Sequence, residues 1–356
     1  MTTTAPARDR HNRVTSSFTD LSRTVRENGL LARTTGFYLT LLAVLGVALV
    51  GIVAGVVALG SSWWQLLLAA ALGVVMTQLA FVAHEAAHRQ VFSSNRANDR
   101  LGRILASAVV GMSYSWWQAK HSRHHANPNK ADADPDIGEG VVSFLPEYAA
   151  RARGIKAVVN RYQGWLFFPL LTLEGLNLHV TSIRSVARDV RHDRERRAEL
   201  AMILTRLALG LAFVLAVMPL GLALAFLGVW GAVFGVYMGA SFAPNHKGMA
   251  ILSPTSRVDF LSKQVLTSRN IRGGWTMNLL MGGLNFQIEH HLFPSMPRPH
   301  LLAARRLVQQ HCAEVGVPYT ETSLLESYGI VVRYLNEVGL SARDPFDCPT
   351  FHRLRR

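Results

Sequence analysis

Apolar positions in this chain gather into blocks rather than stripes. Residues 37 to 60 carry no charge over about 24 positions, and a second block begins at Trp63 and Trp64 and continues to His84 and His88. Each is long enough for the roughly 20 residues that a bilayer-spanning helix needs. The uncharged connection Gly60-Ser61-Ser62 makes the two a hairpin, and the tryptophan pair suits a membrane interface. Residues 200 to 217 and 221 to 243, joined by Met218-Pro219-Leu220, predict a second hairpin.

Shorter apolar stretches fit a span poorly. Residues 104 to 117 reach only about 14 positions and predict a re-entrant or interfacial helix. Residues 164 to 181 are interrupted by Pro169, Glu174, Asn177 and His179. Were they to cross, Arg184, Arg188, Arg191, Arg194, Arg196 and Arg197 would lie outside, against the positive-inside tendency, so a shallow or re-entrant placement is expected. Residues 126 to 160 read as a polar, turn-rich loop. Residues 17 to 31 space Phe18, Leu21, Val25 and Leu30 among charges, which predicts an amphipathic helix on the membrane surface. Leu301, Leu302, Ala304, Leu307 and Val308 suit an amphipathic helix that covers the polar end of the bundle.

The expected architecture is an all-α integral membrane protein with four transmembrane helices in two hairpins, re-entrant or interfacial helices, and a cytosolic helical cap. An N-terminal tail (1–35), a membrane domain (36–310) and a C-terminal tail (311–356) follow, with both termini cytosolic. Composition agrees: 49% of the 356 residues are hydrophobic while the net charge is +14. Apolar and basic residues must therefore be segregated, as in a membrane protein with basic inner loops and unlike a nucleic-acid binder. Cys312 and Cys348 form no metal or redox spacing and no disulfide framework. The first apolar block is too long for a signal-peptide core, so no cleavage is expected.

Histidine changes the picture. His84-Glu85-Ala86-Ala87-His88, His121-Ser122-Arg123-His124-His125 and Gln287-Ile288-Glu289-His290-His291 repeat imidazoles at spacings of three and four, which share a helix face. His246, at the inner end of the last predicted span, is level with them. Seven or eight imidazoles exceed what one four- to six-coordinate ion uses, so two metal ions are the economical reading. The first cluster alone also satisfies the HExxH pattern of zinc proteases, with Glu85 as general base, but that reading leaves the other histidines without a role. Glu174 and His179, polar residues in an apolar stretch, are candidates for orienting a ligand.

Together the three clusters resemble the histidine boxes of the membrane fatty acid desaturases, in order and spacing over residues 35 to 310. Gln287 in place of a histidine is similar to the front-end and linoleoyl-CoA type, and the arginine-rich chain resembles actinobacterial acyl-CoA desaturases. The resemblance implies a non-haem di-iron centre held by His84, His88, His121, His124, His125, His246, His290 and His291, with Gln287 as a weak or water-mediated ligand. It implies an O2-dependent fatty acyl desaturase of a bacterial plasma membrane, acting on acyl-CoA or an acyl lipid. No haem-domain HPGG motif, GxGxxG or CxxC occurs, so electrons are expected from a separate ferredoxin, flavodoxin or NADPH-dependent reductase. Trp116, Trp117 and Trp275 are expected near the acyl chain, and Arg184, Arg188, Arg191, Arg269 and Arg272 are candidates for the substrate headgroup. A membrane hydroxylase or ketolase is the alternative within the same chemistry.

Overall fold

The computed structural model describes residues 18–189 and 193–341. Four helices in it are long and apolar enough to cross a membrane: α2 (Thr35–Leu59), α3 (Gln65–Ala87), α10 (Arg194–Val217) and α11 (Leu220–His246). The 25 residues of α2 rise about 37 Å, enough for a hydrocarbon layer of roughly 30 Å. It stops at Gly60, which takes φ 52°, and the fully buried Gln65 staples the turn by donating to the carbonyls of Val56 (2.7 Å) and Gly60 (2.9 Å). Trp63 and Trp64 stand 68% and 67% exposed at this tip, where a headgroup layer would receive them.

The central pair is α3 with α11. Small residues let backbones approach α11: a Cβ at Gly73 of α3 would meet Val233 at 2.9 Å, and one at Gly235 would meet the carbonyl oxygen of Leu171 at 2.4 Å, so α11 also lies directly on a further neighbouring helix. That neighbour is α8 (Gln163–Leu171), which turns by 74° into α9 (Glu174–Asp189), a bend shared by broken spans and re-entrant segments. Within the expected polar loop lie two short helices, α6 (Pro146–Arg151) and α7 (Gly154–Arg161).

Residues 104–117 depart from the expected single helix. After α4 (Asn95–Arg103) the chain continues as a π-helix (Ile104–Val110), breaks at Gly111 with φ 94°, and restarts as α5 (Tyr114–Ala126) under a Ser113 cap. Carbonyls at the π-helix end need partners, and Arg206 Nε supplies one to Val109 at 2.7 Å while His179 Nε2 lies 3.2 Å from that of Val110.

A helical cap closes the histidine-bearing end. It comprises α12 (Phe260–Leu266), α13 (Gly274–Leu280), α14 (Gln287–Leu292) and α15 (Leu301–Val315), with a two-residue parallel pairing of β1 (Asn270–Ile271) and β2 (Glu321–Thr322). Residues 18–27 are helical (α1), but their apolar face does not lie on a membrane. Leu21 and Val25 are buried in the cap core, and Phe18 packs 4.9 Å from Phe260. Apolar area removed from water decides that placement. α16 (Leu324–Ser341), expected as part of a tail, packs on α8 and α11.

Candidate metal centre

Each histidine cluster is delivered by the end of an element. His84 sits in the last turn of α3 and His88 caps it; α5 presents His121, His124 and His125; α11 ends on His246; α14 carries His290 and His291. The third cluster is aimed by its approach: Gly282 takes φ 59° and its Cα is pressed so close to Phe81 that a Cβ would meet the ring at 2.5 Å. Asn270 then clamps the start of α14 by accepting from the Ile288 amide at 2.9 Å.

The rings divide into two groups. His84, His88, His121, His125 and His290 bring one nitrogen each to within 4.8 Å of the others, and His124, His246 and His291 do the same. Successive helix residues point about 100° apart, so each His-His doublet hands one ring to each group. His125 and His291 stack at 4.2 Å across the division.

These spacings suit metal ions. His121 Nε2 lies 3.0 Å from His84 Nε2 and 2.9 Å from both His88 Nε2 and His125 Nε2. Metal–nitrogen bonds of about 2.1 Å at right angles separate neighbouring nitrogens by about 3.0 Å. His290 Nε2 and His291 Nε2 are buried with no hydrogen-bond partner, as nitrogens reserved for an ion are. Burial, followed by neighbouring ring charges, holds His121, His125, His290 and His291 far below the ordinary imidazole range, and burial brings His88 to about 3. All five are therefore neutral, the form that ligates.

In the second group the outer nitrogens are all engaged. His246 Nδ1 is 2.9 Å from the Thr267 carbonyl and His291 Nδ1 2.9 Å from Gln264 Oε1, contacts that fix each Nε2 inward. His124 Nδ1 meets Asp134 Oδ1 at 3.0 Å. Burial raises the pKa of Asp134, but the hydrogen bond and charge interaction with His124 outweigh it and hold the carboxyl below its usual range. None of these three partners is part of a histidine pattern. Asp134 alone carried a signal, an acid ten residues beyond His124 in a stretch that reads as loop.

Gln287 reaches the second group, but with its amide nitrogen 2.9 Å from His246 Nε2 while its oxygen accepts from Asn245 at 3.1 Å. Glu85 is not poised as a base. Arg298 grips both its oxygens at 2.7 and 2.5 Å, and Tyr38 donates to it at 3.2 Å, which corrects the protease reading. Glu174 and His179 join neither group: Glu174 accepts from Asn177, and His179 spans the carbonyls of Gly175 and Val110. Trp117 stacks on His121 at 4.3 Å, whereas Trp275 is 69% exposed on the cap. Trp116 packs at the edge of the bundle core. Arg269 is buried against the carbonyls of Pro244 and Lys247; Arg184 and Arg188 are exposed; Arg272 lies 3.5 Å from Glu326. Arg191 lies outside the described residues.

Beneath His84 a cavity of about 30 Å³ is lined by Ala80, Ala83, Ala106, Trp117, Met238 and Phe242. An apolar pocket beside two histidine groups that could each hold a metal ion, at the end of a bundle of helices long enough to cross a membrane, places the candidate chemistry next to hydrocarbon. Comparison with known proteins names the family. Residues 61–323 match the family model described as fatty acid desaturase, and the chain belongs to that family of oxygen-dependent oxidoreductases. It is similar to delta(8)-fatty-acid desaturase 2 of Arabidopsis thaliana, with 27% identity over 95% of this chain and 78% of that protein. An acyl-lipid (9-3)-desaturase of Physcomitrium patens is 29% identical over 75% of this chain and 52% of its own length, so the chain spans about half of that relative. A delta(6)-fatty-acid desaturase of Caenorhabditis elegans is 26% identical over 92% and 75%.

Proposed function

We propose that this protein is an acyl-CoA desaturase of a bacterial plasma membrane, with the histidines and both termini on the cytosolic side. It introduces a cis double bond using O2 and two electrons from a separate redox protein. The observation that carries the reading is the division of eight imidazoles, six buried and two half-buried, into a group of five and a group of three. In this reading His84, His88, His121, His125 and His290 hold one iron and His124, His246 and His291 the other. Bound there, a pair of irons would supply O2-activating chemistry; overall, one hydrogen from each of two adjacent methylenes, O2, two electrons and two protons leave as two waters.

The chain's own residues do the rest. Asp134, Thr267 and Gln264 keep three rings in the ligating tautomer and orientation. The small side chains of Ala80, Ala83 and Ala106 leave an apolar space beside His84 into which an acyl chain would enter by displacing its walls, and Trp117 and Phe242 line it against water. The net charge of +14 favours an acidic electron donor, of the ferredoxin, flavodoxin or reductase kind. Exposed Arg184 and Arg188, with Arg272, remain candidates for the phosphates of coenzyme A.

Purified protein supplied with reductant, O2 and labelled acyl-CoA tests this. Two irons per chain and a new double bond are expected, with the second group's iron and the double bond lost in His124→Ala and His291→Ala. Stoichiometric zinc without iron, or full activity in either variant, refutes the assignment. A hydroxylated product moves it to the hydroxylase reading.

A further inference from the structure

We propose that the methyl end of the acyl substrate passes from the chamber below His84 into a second cavity between α2 and α10, whose side is open to the bilayer, so that the protein does not measure tail length. This rests on the desaturase reading above. The second cavity has a volume of about 730 Å³, within the roughly 300–1,000 Å³ common for ligand sites. Its walls are apolar, including Ile52 and Val56 of α2, Leu72 and Met76 of α3, and Phe213 of α10.

The two cavities lie end to end. Ala80 lines the chamber and Met76, one turn earlier on α3, lines the cleft; on the π-helix Val110 faces the first and Val109 the second. Met238 lines the chamber and Met76 the cleft, both buried and both unbranched thioethers that change shape at little cost. From His84 to Leu72 the helix runs about 18 Å. That length accommodates about fourteen methylenes at ordinary carbon–carbon bond lengths.

Two features set the occupant and the openness. Among the described residues Arg206 is the one charged side chain lining the cleft, and it is already engaged: its Nε donates to Val109, and its guanidinium lies 5.7 Å from the Trp230 ring. The cleft is thus suited to hydrocarbon rather than to an anionic headgroup. Val53 and Leu209, lining residues on α2 and α10, are 43% and 65% exposed, so the cleft opens sideways toward lipid. A tail longer than the cleft can leave between these lips.

Two measurements test the proposal. In detergent, acyl-CoA brominated at its methyl end is expected to quench the fluorescence component that Trp230→Phe removes, saturably and reversibly by unlabelled acyl-CoA. Absence of that quenching overturns the proposal even in an active enzyme; quenching without any double bond formed defeats the desaturase reading alone. Turnover across acyl-CoAs lengthened in two-carbon steps gives the second readout. Wild-type activity is expected to stay level toward the longest chains, and Ala108→Trp or Leu72→Trp, plugs on different helices, to impose a cut-off of about tenfold or more. A sharp cut-off in the wild type, or an unchanged profile in a folded plug variant, overturns it.

Discussion

An imidazole has two nitrogens, and what the outer one touches decides whether the inner one can bind a metal. The second group illustrates this, with a carboxylate, a backbone carbonyl and an amide oxygen behind His124, His246 and His291. Of the three, Asp134 is the one that adds charge. Asp134→Asn keeps the shape and removes that charge, so affinity at the second group is expected to fall about 10- to 100-fold while the first group is untouched. Iron stoichiometry after mild chelation would then drop from two toward one per chain; equal loss from both groups would contradict the assignment of separate sites. The imidazoles themselves are legible in the sequence because three- and four-residue spacing on a helix is a local property. Thr267 and Gln264 are not, since they reach the rings only through the fold of the cap. His179 and Glu174 drew notice as polar residues in an apolar stretch, and their actual partners, carbonyls and an asparagine, leave no mark in the sequence either.

Among the elements, the span α3 is joined to the cap by a buried ion pair, Glu85 with Arg298, in which both side chains are 2% exposed. Breaking one partner of such a pair leaves an unpaired buried charge at a cost of about 3–5 kcal/mol, whereas replacing both with apolar groups of similar size is often neutral. Glu85→Gln is therefore expected to lower the thermal midpoint in detergent and release iron, and the double change Glu85→Leu with Arg298→Met to restore most of the midpoint. A double variant as unstable as the single one would show that the pair does more than hold two elements together. The long spans could be read from uninterrupted apolar length alone; the 74° bend between α8 and α9 could not, since Pro169, Glu174 and Asn177 mark only an interrupted apolar stretch. Nor could the π-helix: no residue of Ile104–Val110 marks it locally, and Arg206 and His179, which meet its last two carbonyls, arrive from other helices.

For the whole molecule the consequential feature is that both hairpins return their histidines to one end. His84 closes α3 and His246 closes α11, while Gly60-Ser61-Ser62 and Met218-Pro219 turn at the other end. With four spans, the histidines of both groups then share one end of the bundle, and the proposed orientation, argued from positive-inside charge, puts that end in the cytosol. Cysteine substitution reads this directly, because Cys312 is buried and Cys348 can be replaced with serine. In intact cells a membrane-impermeant maleimide is expected to modify Ser61→Cys nearly completely and Ser122→Cys only after lysis. Ser122 is exposed and lies one residue from His121, so its reactivity reports the compartment of the metal centre itself. Labelling of both positions in unbroken cells would mean that a span is miscounted, and labelling of Ser122→Cys alone that the molecule is inverted; either result would move the electron donor and the coenzyme A thioester to the wrong side of the membrane.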